Sequence, residues 1–163
     1  MNYKRLVSLA ILLLLLVFPS FASMVTFLVV ETGLDEGAAN TQHSSIWEGA
    51  LMSVFFDAGH IVTNHPIARM EKKPDKDLSG SIMIGFIEAI EGGSEYFILG
   101  FLEYVNNGEM MIPIGIIIKL YRTDSEELIF EQNFPAGNSR SLGEEIQMAQ
   151  NVARILVSNI RDN

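Results

Sequence analysis

The chain contains no cysteine in its 163 residues. That removes disulfides, thiol nucleophiles and zinc sites built on thiolates. It also leaves nothing near an export cleavage site to carry a lipid, so no lipid anchor is expected. Basic side chains are scarce, 11 against 20 acidic, for a formal net charge of −9. Phosphate backbones and anionic bilayers are held by clustered Lys and Arg, so this balance excludes nucleic acid and disfavours membrane surfaces as partners. No G-x-S-x-G, Gly-Lys-Ser/Thr loop or helical H-x-x-x-H occurs, which withholds the usual signatures of a serine hydrolase, a nucleotide cradle and a zinc protease.

One long apolar run is present, and it lies at the amino terminus. Lys4 and Arg5 precede an apolar stretch at 6–18 interrupted only by Ser8, and Pro19-Ser20-Phe21-Ala22 follows. A basic start, a short apolar core and small residues at Ser20 and Ala22 describe an export signal cleaved after Ala22. The run is short for a bilayer-spanning helix of about 20 residues, although an uncleaved anchor is the alternative. Loss of 1–22 leaves a single domain at 23–163 with formal charge −11. Export without disulfides fits a bacterial periplasm, with full secretion or tethering by an uncleaved leader as alternatives.

Within that domain, Met24–Thr32 is apolar on both alternating faces, the pattern of a strand covered on both sides. Residues 33–44 read as a long loop. Ser45-x-x-Glu48 has the form of a capping box opening a helix with the stripe Ile46, Ala50, Leu51, Val54, Phe55 and Ala58, stopped at Gly59. His60 opens a short strand to Thr63. The charged segment 68–77 reads as a solvated linker, and 78–90 as a helix in spite of Gly80 and Gly85. Three strands at 95–105, 110–122 and 127–134, joined by Asn106-Asn107-Gly108 and Thr123-Asp124-Ser125, form an antiparallel meander. Five isoleucines between 112 and 118 make the middle strand its most apolar part. Ser141-x-x-Glu144 then opens a last helix with Leu142, Ile146, Ala149, Val152, Leu156 and Ile160 on one face.

The order β-α-β-α-β-β-β-α predicts an α+β domain with an α/β start: one mixed sheet, helices mainly on one face. Three features carry a family resemblance. One is the first helix ending Phe56-Asp57-Ala58-Gly59, and another is the strand entry Gly93-Ser94-Glu95-Tyr96-Phe97-Ile98-Leu99-Gly100 behind a helix. The third is the meander running into a long last helix. Following a leader, this resembles the small periplasmic α/β domains of Gram-negative envelope proteins. These include the curli-secretion channel subunit, LpoB-type activators of penicillin-binding proteins, and the amino-terminal domain of TolB. The resemblance implies a domain used for protein contacts and assembly, with no catalytic residues to carry over. The lipoproteins of the group have an anchoring cysteine that this chain lacks, and 23–163 is too short for TolB's propeller.

Candidate sites are few. Asp57, His60 and His65 could be imagined around a metal, but their spacing fits no standard arrangement, and no metal or other cofactor is predicted. The acid pairs Asp35/Glu36, Glu126/Glu127 and Glu144/Glu145 read as solvated charges, whereas catalytic pairs need burial. Trp47, the sole tryptophan, falls just off the first helix's stripe. It reads either as partly buried against the preceding loop or as an interface anchor. Phe56 is also off the stripe, and Pro113 points to an unpaired side of its strand. Trp47, Phe56, Asp35, Glu36 and Pro113 are therefore the candidate interaction residues. The reading is a non-catalytic, exported protein acting by contact with a protein partner or itself in envelope assembly or regulation, with no stable membrane insertion after leader cleavage. A periplasmic small-molecule or ion-binding protein using Glu31, Asp35 and Glu36 is the alternative, and a small hydrolase the least supported.

Overall fold

The computed structural model describes residues 22–34, 42–106, 111–135 and 141–161; the leader, Asp35 and Glu36 lie outside them. The elements are β1 (Met24–Thr32), α1 (Gln42–Asp57), β2 (Ile61–Asn64), β3 (Ala68–Met70), α2 (Gly80–Glu91), β4 (Tyr96–Asn106), β5 (Met111–Arg122), β6 (Leu128–Pro135) and α3 (Leu142–Arg161). All six strands form one mixed sheet ordered β2-β1-β4-β5-β6, with β3 also paired to β1. The α+β architecture is the expected one, with one strand more.

The extra strand corrects the reading of 68–77 as a solvated linker. Ala68–Met70 pairs in parallel with Val30–Thr32, beyond the end of β2, which pairs with 24–27. Ala68, Met70 and Leu78 then pack on the sheet, and Asp77 is engaged by Lys119 and Tyr121. Alternating charges hid a segment whose few apolar residues face inward.

β1 and β4 form the centre, as their lack of polar alternation requires. Odd residues of β1 and even residues of β4 (Val25, Phe27, Ile98, Leu102) join Ile116, Ile118 and Leu120 of β5 in a core covered by α1 and α3. The opposite faces (Leu28, Val30, Phe97, Leu99, Phe101) form a smaller core under α2, where Phe86 meets Phe97 edge-on at 5.2 Å. Two helices thus lie on one face and one on the other.

The apolar run in β5 is less regular than its sequence suggests. Ile116, Ile118 and Leu120 are fully buried, but Ile114 is 42% exposed. The pairing shifts between Glu103 and Tyr104, so that Glu103 faces Gly115 and Tyr104 faces Pro113. Ile114 is the extra residue of this bulge. Pairing to β6 is described as far as Gly115, opposite Pro135, and Pro113 sits at the bulge in the pairing to β4, a position where proline is tolerated.

Candidate functional site

β1 is flanked by β2 and β3 on one side and β4 on the other. The crossover through α1 runs over one face toward β2, and that through α2 runs over the other face toward β4. The carboxyl end of β1 is therefore a topological switch point, the place where open α/β sheets hold ligands. Among the described residues, side chains from β1, β3, β4 and α1 converge there.

Glu31 is wholly buried. Its Oε1 accepts a hydrogen bond from Ser44 Oγ at 2.5 Å, and its Oε2 accepts one from Arg69 Nε at 2.7 Å. Arg69 stands directly opposite Glu31 in the β1–β3 register, which is how the third strand supplies a counter-charge. Tyr104 Oη lies 3.4 Å from Ser44 Oγ. Burial, with Glu31 and Glu145 nearby, pushes its hydroxyl up to about 12, so it stays protonated. Gly33 closes the turn at φ +81°, against the Tyr104 carbonyl.

A second acid sits beside this group. Glu145 of α3 is 6% exposed, its Oε1 accepting from Trp47 Nε1 at 2.9 Å and its Oε2 lying 2.7 Å from His43 Nδ1. A carboxylate accepts and does not donate, so Nδ1 carries the proton. The contact ties the start of α1 to the start of α3.

These contacts revise several sequence readings. α1 begins at Gln42, so Ser45 lies inside the helix and its capping box does not form. The buried face of α1 runs Ser44, Trp47, Ala50, Leu51, Phe55. Trp47 is 1% exposed and offers no outward surface, whereas Phe56 is 68% exposed. Glu145 is not a solvated charge, in contrast to Glu144. His60 is buried against Phe55, and β2 begins one residue after it. His65 faces Glu88 of α2 at 3.2 Å, and its ring lies beside Gly85. Among the described residues no three His, Asp or Glu side chains converge as metal ligands.

Ser44 has no solvent access, and both oxygens of its nearest carboxylate are already engaged, one by Ser44 itself and one by Arg69. The arrangement ties together β1, β3, α1 and α3. A cavity of about 270 Å³ lies at the opposite end of the sheet, between 93–96 and 122–124. It is small for a ligand site.

No protein-family model and no curated protein matches this chain. Solved structures do. TolB from Acinetobacter baumannii superposes with a TM-score of 0.50 at 12% identity, over 87% of this chain and 29% of TolB. The resemblance read from the sequence holds at the level of the fold. A PelC dodecamer from Paraburkholderia phytofirmans (TM-score 0.48, 12% identity, 87% of this chain and 91% of that one) and the LpoB C-terminal domain from Salmonella enterica (0.40, 15%, 77% and 91%) align more loosely. Identities this low speak for shared architecture alone.

Proposed function

We propose that this chain is a non-catalytic exported protein that works in the cell envelope through contact with another protein. The observation that carries this is the outer face of α2. Ile84, Ile87 and Ile90 are 58%, 45% and 43% exposed, in a helix whose other face is already buried by the sheet. Isoleucine is a weaker helix former than alanine or leucine, and these three stay about half exposed within the chain. A helix apolar on both faces is ordinarily covered on both. Phe56 of α1 and Ile61 of β2, at 68% and 56%, are also exposed.

Export rests on the leader pattern at 1–22. Among the described residues, the Ser23 carbonyl already accepts a hydrogen bond from Ile61 N–H at the β2 edge, which is compatible with cleavage before Ser23. A mature amino terminus other than Ser23 would refute that cleavage. The contact reading is tested by a photo-crosslinking residue at Ile87 in living cells, with Arg154, exposed on α3, as control. A defined partner captured from Ile87 and not from Arg154 supports it. Equal or no capture from both positions removes it.

A further inference from the structure

We infer that the outward face of α2 docks a helix carrying an apolar stripe with lysine or arginine at the end overlying the α2 carboxyl terminus. This rests on the contact reading above and names the chemistry of the partner.

Ile84, Ile87 and Ile90 are spaced by three and form a ridge of the kind that seats into the groove of another helix. The only charges on α2 are Glu88 and Glu91, both acidic and both in its last turn, where no basic residue accompanies them. That is the wrong end for them, since a helix carries partial negative charge at its carboxyl terminus. The last carbonyls are capped by backbone N–H groups of Gly92, Gly93 and Ser94 rather than by a cationic side chain. Glu95 follows, exposed. Glu88 faces His65 at 3.2 Å, and that ring is charged only when protonated. An apolar ridge therefore ends in a concentration of negative potential that a partner's cation would relieve.

The same charges decide against two other occupants. A second copy packed antiparallel about Ile87 would bring the two Glu88 side chains together, and a parallel copy would align two negative helix ends. An anionic bilayer would meet those acids and a chain of net charge −9.

The test uses the purified full chain and two synthetic amphipathic peptides with the same leucine stripe, one flanked by lysine and one by glutamate. Fluorescence anisotropy should show the lysine peptide binding at least about fivefold tighter, an advantage that fades at high salt. E88Q/E91Q should abolish most of that advantage, and I87S should weaken both peptides. The double substitution relieves the helix end, so its melting temperature should hold or rise, which guards against misfolding as an explanation. Equal binding of the two peptides, a lysine preference that survives E88Q/E91Q, or indifference to I87S overturns the inference. So does an Ile87-dependent dimer in sedimentation, or Ile87-dependent flotation with phosphatidylglycerol vesicles. Failure here alongside a specific crosslink from Ile87 would reject only the basic helix, whereas peptide discrimination without capture in cells would count against the contact reading.

Discussion

Trp47 and Glu145 are joined by one hydrogen bond, Nε1–H to Oε1 at 2.9 Å, between two buried side chains 98 positions apart in sequence. The other carboxylate oxygen faces His43. Glu145→Ala leaves a buried indole N–H and a half-buried imidazole without their acceptor, so it should cost about 2–4 kcal/mol. Glu145→Gln keeps an oxygen for the indole and should cost less. In a double-mutant cycle with Trp47→Phe, urea denaturation should give a coupling of about 1 kcal/mol or more. Additive single effects would show that the bond contributes nothing specific.

The positions of both buried acids were legible in principle. Glu145 lies on the same helical phase as Ala149, Val152 and Leu156, and Glu31 on the same strand face as Val25, Phe27 and Val29. Ser44 and Trp47 likewise precede Leu51 and Phe55 by whole turns. Charge and hydroxyl chemistry steered the reading toward solvent, while periodicity pointed inward. The strands, the three helices and the mixed sheet were readable because long apolar patterns dominate them. The third strand was not, because only three residues pair and its stabilisation comes from long-range partners such as Glu31 and Asp77's ligands.

Gly33 should resist substitution for two independent reasons. Its φ of +81° is costly for residues with a Cβ, and that Cβ would collide with the Tyr104 backbone carbonyl. Gly33→Ala should lower stability by about 2 kcal/mol or more, whereas Gly59→Ala, at φ +91° but with open space around it, should cost about 1 kcal/mol. Thermal or urea unfolding of the two variants separates strain from collision, and equal losses would mean the Tyr104 contact does not matter.

Lys119 is nearly buried in β5 with Asp77 at 2.7 Å and Glu131 at 3.0 Å, and Tyr121 also donates to Asp77. Burial pushes the Asp77 carboxyl up, but the bonds from Lys119 and Tyr121 outweigh it and hold it below its ordinary 3.8. A folded-state value below the unfolded one stabilises the fold above pH 3.8 and loses that contribution as pH falls through the folded value. The stability gap between the native chain and Asp77→Asn should therefore be constant near neutral pH and shrink in acid. A gap unchanged down to the pH of acid unfolding would place the stabilisation elsewhere.

Two copies of the pattern Ser-x-x-Glu occur, and only one caps a helix. At the start of α3, Glu144 N–H bonds Ser141 Oγ at 3.3 Å, and Ser141 N–H bonds Glu144 Oε2 at 2.9 Å, the reciprocal pair that satisfies two otherwise unpaired donors. In α1 the same spacing falls inside the helix, because the chain starts the helix at Gln42 so that Ser44 and Trp47 can face the sheet. Burial of a tryptophan outweighs a cap worth about 1 kcal/mol. Ser141→Ala should therefore cost about 1 kcal/mol. Ser45→Ala, exposed within a helix, should be neutral or stabilising by a few tenths (about 0.3 kcal/mol), since alanine is the better helix former. Chemical denaturation of the two variants side by side is decisive, because a comparable loss from Ser45→Ala would mean that the first box forms after all.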